Sequence, residues 1–130
     1  MVVRPFYEIE EVTWVLYELD GRAVELTSDP KRPAIRLAVK DGYERVTGSG
    51  GINQLAGNYE IDGERVRFGP LITTKMAGPP EKTELERRLF SALARTTAWK
   101  RQDRALMLFE NATVIARFVQ QTENIAEPWK

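Results

Sequence analysis

The sequence lacks two residue types completely, since none of its 130 residues is a cysteine or a histidine. Without imidazole, Ser–His and Cys–His nucleophile pairs, ordinary zinc sites and an unperturbed side chain that titrates near neutral pH are excluded. The absence of thiols leaves the redox compartment undetermined. We therefore predict no catalytic residue, no cofactor and no metal ligand, and an enzyme reading would have to rely on carboxylates, lysine or tyrosine.

The chain also has no excess of charge of either sign and no long apolar run. Its 19 basic and 19 acidic side chains cancel, so no global field attracts nucleic acid or an anionic bilayer. No stretch approaches the roughly 18 apolar residues that span a membrane, and residues 1–5 lack the apolar core of a secretory signal. We expect one domain over residues 1–130 that binds no nucleic acid, does not span a membrane and shows no signal peptide.

Short β patterns separated by turn residues dominate the sequence. Residues 34–39 alternate apolar and other side chains, and Asp-Gly pairs at 20–21, 41–42 and 62–63 are strong turn signals. Strands are predicted at residues 11–19, 34–39, 43–48, 55–61, 64–68, 71–76, 98–102, 106–109 and 114–119. Residues 120–130 are predicted to form a C-terminal tail, pinned by Ile125 or Trp129.

One segment has a helical period instead. Apolar residues recur at three- and four-residue steps over 81–96, and the early glutamates Glu81, Glu84 and Glu86 suit the positive end of a helix dipole. The sequence therefore predicts a mainly β (α+β) fold: an antiparallel curled sheet or small open barrel of about eight strands, with one helix at about residues 81–96.

Two stretches, residues 46–59 and 71–80, resemble the paired signature of the META domain, the family of the bacterial HslJ-like heat-shock proteins. The matching residues are Gly48, Gly51, Asn53, Gly57, Tyr59, Thr74, Met76, Ala77 and Pro79. The family's associations are with heat shock, antibiotic tolerance and the bacterial cell envelope. The resemblance thus implies a stress-related protein of the envelope or periplasm, without catalysis, that binds a protein partner.

Physically, the signature is typical of scaffolding. Glycines at 48, 50 and 51 permit positive φ and a sharp bend, Gly57 suits a bulge or barrel corner, and Asn53 can hydrogen-bond neighbouring backbone. An alternative is that the amides of residues 48–51 form a nest for phosphate or another anion.

The sequence also leaves other functional interpretations open besides scaffolding. The aromatic residues are predicted to fill the core, but if they line a cavity the domain would carry a lipid or another apolar ligand in the barrel interior. Lys75 lies among hydroxyls and could act as a base, and Glu81 and Glu84 share a helical face as a hydrolase pair would. Solvent-exposed surface roles explain all three residues more simply.

The signature departs from the family pattern at two positions. Many relatives carry a cysteine just before the signature asparagine and another just after Met-Ala, and here these positions are Ile52 and Gly78. Because both cysteines are missing together, we predict that the two positions face each other, with Ile52 packed over Gly78.

Overall fold

The computed structural model describes residues 4–27 and 29–121 and consists of one antiparallel sheet and one helix. The ten strands are β1 Thr13–Leu19, β2 Arg22–Ala23, β3 Ala34–Lys40, β4 Tyr43–Ser49, β5 Gln54–Asp62, β6 Arg65–Phe68, β7 Ile72–Thr73, β8 Ala98–Gln102, β9 Ala105–Glu110 and β10 Thr113–Gln120, and the helix α1 is Pro80–Arg95.

Eight of the strands form a closed ring. Neighbouring strands follow the order β1, β3, β4, β5, β6, β8, β9 and β10, and β10 pairs back to β1. β2 pairs with β1 and β7 pairs with β5, each beside the ring. The prediction of a mainly β, antiparallel curled sheet with one helix is therefore confirmed.

Turn chemistry explains why the strands pair in sequence. Asp41 and Gly42 both adopt positive φ, at 53° and 82°, which is the conformation of the two-residue hairpin turn that matches strand twist. The same turn joins β3 to β4 in a continuous seven-pair register. The ring is most weakly paired between β6 and β8, where Arg65 faces Ala98. Closure at that point relies on few backbone bonds.

Large side chains fill the interior of the ring. Trp14, Tyr59 and Phe118 are no more than 2% exposed, and aliphatic residues from most ring strands surround them. Helix α1 adds Leu89 and Leu93 to the same core, because its apolar face is turned toward the ring. Five aromatic residues are therefore core, as predicted for most of them, whereas Tyr43 is exposed; the five are Trp14, Tyr59, Phe68, Trp99 and Phe118.

Several predicted boundaries differ from the structure. β7 covers only two of the six predicted residues at 71–76, and β2 was not predicted. Gln120 is the last residue of β10, so the predicted tail at 120–130 begins too early, and Ile125 and Trp129 lie outside the described residues. In the described part of the chain, no helix has the length and apolarity needed to cross a bilayer.

Candidate functional site

The loop between β4 and β5, residues 50–53, is fixed by a buried carboxylate. Glu86, on α1, is 5% exposed. Its Oε2 accepts the backbone N–H groups of Ile52 and Asn53 at 3.0 and 2.6 Å, and its Oε1 accepts Nδ2 of Asn53 at 2.7 Å. No lysine or arginine of the described residues pairs with it. Glu86 is therefore solvated by three N–H donors of the loop instead of by a counter-ion.

The side chain of Asn53 links the loop and Glu86 to a third segment, residues 74–76. We call the bonded group of Glu86, residues 50–53, Thr74 and Met76 the signature joint. Its Oδ1 accepts the Met76 N–H at 2.6 Å and the Thr74 hydroxyl at 2.8 Å, while Nδ2 donates to the Met76 carbonyl at 3.1 Å. Asn53 therefore bonds backbone through its amide, as predicted, but the backbone is that of Met76, 23 residues along the chain, and not that of its own turn. Because both backbone groups of Met76 bond to the Asn53 side chain, they are not available to a strand ladder; the pairing with β5 continues only to Thr74, whose N–H donates to the Gln54 carbonyl at 3.1 Å.

The glycines near this joint are explained mainly by lack of space. Of the three glycines expected to have positive φ, only Gly51 does, at 116°. A Cβ on Gly48 would overlap the Ala34 carbonyl oxygen, and one on Gly50 would overlap the Glu86 side chain. Gly57 shows no bulge in its register, and a Cβ there would lie 3.0 Å from the Pro70 carbonyl oxygen. The expectation of flexible bends is therefore wrong at these three positions, where close approach requires glycine.

The two positions that depart from the family pattern do face each other. A Cβ on Gly78 would lie 2.9 Å from Cγ1 of Ile52, so the isoleucine side chain occupies the space above the glycine. This confirms the predicted packing. It also shows why residue 78 has no side chain while residue 52 is an isoleucine.

The amides of residues 48–51 do not hold the anion that the nest hypothesis expected; the anion beside them is internal and is bound by the next two N–H groups. The N–H of Gly50 donates to the Asn53 carbonyl at 2.9 Å, that of Gly51 donates to Ser49 Oγ at 3.1 Å, and the next two N–H groups bind Glu86. These amides are all engaged within the chain. An external phosphate would have to displace Glu86.

The signature residue Tyr59 lies in a second polar cluster, farther along β5. Its hydroxyl donates to Glu10, which is 2% exposed, and Arg4 donates to both oxygens of Glu10. The Tyr7 N–H adds a bond at 3.2 Å. Burial disfavours the charged carboxyl, but the bonds from Arg4, Tyr59 and Tyr7 outweigh it and lower the pKa of Glu10 below 4.5. Burial and the bond to Glu10 raise the pKa of Tyr59 well above 10.0.

The remaining predicted residues lie at the surface. Ala77 and Pro79 are exposed between β7 and α1, and the Pro79 carbonyl accepts N–H groups of the first helical turn. Lys75, Glu81 and Glu84 are exposed as well. The structure thus brings together Asn53, Thr74 and Met76 and leaves these five residues outside the joint.

Glu86 is the residue that the sequence interpretation placed wrongly. The sequence predicts that its charge matches the helix dipole, but it is buried against the signature loop. The available signal was its position one turn before Leu89 on the apolar side of the helix, since Leu89, Ala92 and Leu93 are its buried companions.

A groove of about 630 Å³ opens beside the joint. It lies across the ends of several strands, where β4, β5 and β7 meet the beginning of β1 and β3. We call this surface the signature groove; its lining residues are Thr13, Pro30, Lys31, Arg32, Ala34, Ile35, Gly48, Ser49, Ile52, Gln54, Thr74, Met76 and Gln121. Three lining residues, Gly48, Thr74 and Met76, are signature positions, and Ile52 directly precedes one. The joint therefore shapes one wall of the groove.

Comparison with known proteins supports the family and the fold. The family model of the META domain matches residues 7–123. A protein from Burkholderia xenovorans solved by NMR is 23% identical with a TM-score of 0.71, over 95% of this chain and 94% of that chain. A second NMR structure is 18% identical with a TM-score of 0.64, over 86% and 92%. At these identities the two structures show the fold alone. A search of curated proteins returned no significant match.

Proposed function

Because this chain belongs to the META domain family, we propose that it is a non-catalytic domain that binds a partner protein in a stress-related process of the bacterial cell envelope or periplasm. The location and the stress role come from the resemblance to HslJ-like proteins. The observation that carries the binding role is the signature groove, a concave surface of about 630 Å³ that the signature joint shapes.

The use of the signature's polar groups supports a scaffold role. Asn53, Thr74 and Glu86 bond to one another and to backbone, and every buried side-chain nitrogen or oxygen of the described residues has a partner. A catalytic group must be able to reach a substrate with its reactive atom. In this joint the side-chain oxygens and nitrogens already bond to other groups of the chain.

The two alternative functions have less support. Carriage of an apolar ligand inside the ring would require space where Trp14, Tyr59 and Phe118 now pack. A carboxylate hydrolase would require two acids across a cleft, but Glu81 and Glu84 are both exposed on α1, where Glu84 pairs with Arg87, and Glu86 is held in the joint. The groove on the outside of the ring is the better candidate.

The test is site-specific photo-cross-linking in the native host. Benzoylphenylalanine replaces Met76, whose side chain is 51% exposed in the groove, or Tyr43, which is 63% exposed at the opposite end of β4. We expect one partner protein to be linked through position 76 and not through position 43. Native mass spectrometry of the chain purified from the host measures the mass of any bound species.

Three results would contradict the proposal. Equal cross-linking from both positions would mean nonspecific contact. A co-purified small molecule without a protein would favour the carrier function. Hydrolysis that is lost on replacing a single acidic residue would show that the domain is an enzyme.

A further inference from the structure

We infer that the signature groove takes an acidic, extended segment of the partner protein, an inference that rests on the proposed function and names the chemistry of its partner. Three observations carry it: the sign of the charges around the groove, the apolar residues within it and the open strand edge beside it. Each comes from a different part of the structure.

The charge of the groove is of one sign. Lys31 and Arg32 line it, and none of its 13 lining residues is acidic. Arg32 donates to two neutral oxygens, the Thr27 carbonyl at 3.1 Å and Oε1 of Gln121 at 2.6 Å. Neither cation forms an ion pair within the described residues. In a chain with no net charge, this is a local positive surface that complements carboxylates.

Other cations, at the end of α1 and on β10, show the contrasting arrangement. Arg95 lies 3.2 Å from Asp20 and 3.1 Å from Glu110, and Arg117 lies 2.8 Å from Glu18. Their charges are matched by acids of the chain itself. Lys31 and Arg32 form no ion pair with an acid of the described residues, and the adjacent Asp29 carboxylate, which accepts the Lys31 backbone N–H at 2.8 Å, is not among the groove lining, so both charges can pair with a carboxylate of the partner.

The inner part of the groove is apolar and adjoins a strand edge. Ile52 and Met76 contribute apolar surface, and Ile72 is 77% exposed on β7 nearby in the chain. β7 pairs with β5 on one side and with no other described strand. An unpaired edge offers backbone groups to an incoming extended chain, whose alternate side chains enter pockets. An acidic segment with alternating apolar residues fits all three features.

The probe is an eight-residue peptide with blocked ends that alternates glutamate and leucine, and its control replaces each glutamate by glutamine. Both are titrated into the full chain while backbone amide NMR signals are recorded. We expect the signals of Ser49, Gln54 and Met76 to move and those near Tyr43 to stay. The glutamine peptide should bind about tenfold more weakly, because two exposed ion pairs are lost, and added salt should weaken the glutamate peptide only.

A matched pair of variants tests the two cations. Lys31→Gln with Arg32→Gln should weaken the glutamate peptide by about five- to tenfold. Lys40→Gln with Arg45→Gln removes the same charge at the opposite end of the β3–β4 hairpin and should leave binding unchanged. Circular dichroism confirms that both variants are folded.

The outcomes separate this inference from the proposed function. Equal binding of the two peptides, or no binding of either while position 76 still cross-links a partner, would overturn the acidic segment and leave the partner function standing. Loss of cross-linking would overturn the function itself. Concentration-dependent dimerisation in analytical ultracentrifugation that Met76→Glu abolishes would mean that a second copy of the chain occupies the groove, which also overturns the inference.

Discussion

Two buried glutamates hold this fold together in different ways. Glu10 is 2% exposed and receives a guanidinium, a phenol and one backbone N–H, whereas Glu86 is 5% exposed and receives only N–H groups of one loop and its asparagine. Their partners, Tyr59 on β5 and Asn53 just before it, are six residues apart, about 20 Å along an extended chain. The fold therefore stabilises a buried carboxylate at two separate places, with different partners at each.

The difference shows which site depends on backbone shape. Glu10 is neutralised mainly by a side chain, the guanidinium of Arg4, which donates to both carboxylate oxygens. Glu86 depends on two backbone N–H groups and one amide in a fixed arrangement, which exists only when residues 50–53 are folded. The signature loop therefore serves to bind Glu86 and so to fix helix α1 against the sheet.

The largest expected effect is the loss of Glu86. Glu86→Ala should lower the free energy of unfolding by about 3 to 5 kcal/mol, because three donors lose their acceptor and each unsatisfied donor costs about 1 to 3 kcal/mol, reduced where water enters. Urea denaturation followed by tryptophan fluorescence measures the change. Glu84→Ala on the same helix, which removes an exposed pair with Arg87, should cost about 0.5 kcal/mol or less. Equal effects of the two substitutions would show that the buried joint contributes nothing particular.

A covalent replacement for the joint should have the next largest effect. The double variant Ile52→Cys and Gly78→Cys should form a disulfide, since the two side-chain positions are in contact and the chain has no other cysteine. The bond closes a loop of about 27 residues and should stabilise the oxidised protein by about 3.5 kcal/mol relative to the reduced one. Mass spectrometry detects the loss of two hydrogens.

Combining the disulfide with Glu86→Ala sharpens the comparison. If both restrain the same loop, the disulfide should recover much of the stability that Glu86→Ala removes. The same disulfide should not recover the loss caused by a substitution in the Glu10 cluster. Full additivity in both backgrounds would mean that the loop and the helix are not coupled.

At the Glu10 cluster, the expected effect is smaller. Tyr59→Phe removes the hydroxyl that donates to Glu10 but leaves Arg4 and the Tyr7 N–H in place. A hydrogen bond to a charged group contributes about 1.5 to 3 kcal/mol, so the free energy of unfolding should fall by about that amount. The exposed Tyr43→Phe is the control and should change stability by less than about 0.5 kcal/mol. A loss as large as that of Glu86→Ala would reverse the proposed ranking of the two sites.

The fold could be predicted from sequence to a greater extent than the site. Asp-Gly turns and alternating residues fix local strand pairs, and those signals are contiguous, as the hairpin at Asp41 and Gly42 shows. The bond between Asn53 and Glu86 joins residues 33 apart, and no local pattern specifies that a helix glutamate will meet a loop amide. Gly48 was likewise assigned to bending, although its reason is the neighbouring carbonyl of Ala34. Contacts between distant segments require the folded geometry.

The pH dependence of stability gives the finest distinction between the sites. The pKa of Glu10 is lowered in the folded state, so its contribution is present above pH 4.5 and is lost as the pH falls further. The pKa of Tyr59 is raised, so its contribution is present below pH 10.0 and declines as the pH rises beyond it. The stability gap between the native chain and Tyr59→Phe should therefore narrow above pH 10.0, when measured by urea denaturation across the alkaline range. Tyr43→Phe is the control: because it retains the phenol of Tyr59, its free energy of unfolding should fall with alkaline pH as that of the native chain does. If the stability difference from the native chain stays constant with pH for both variants, the ionisation of Tyr59 is not coupled to folding.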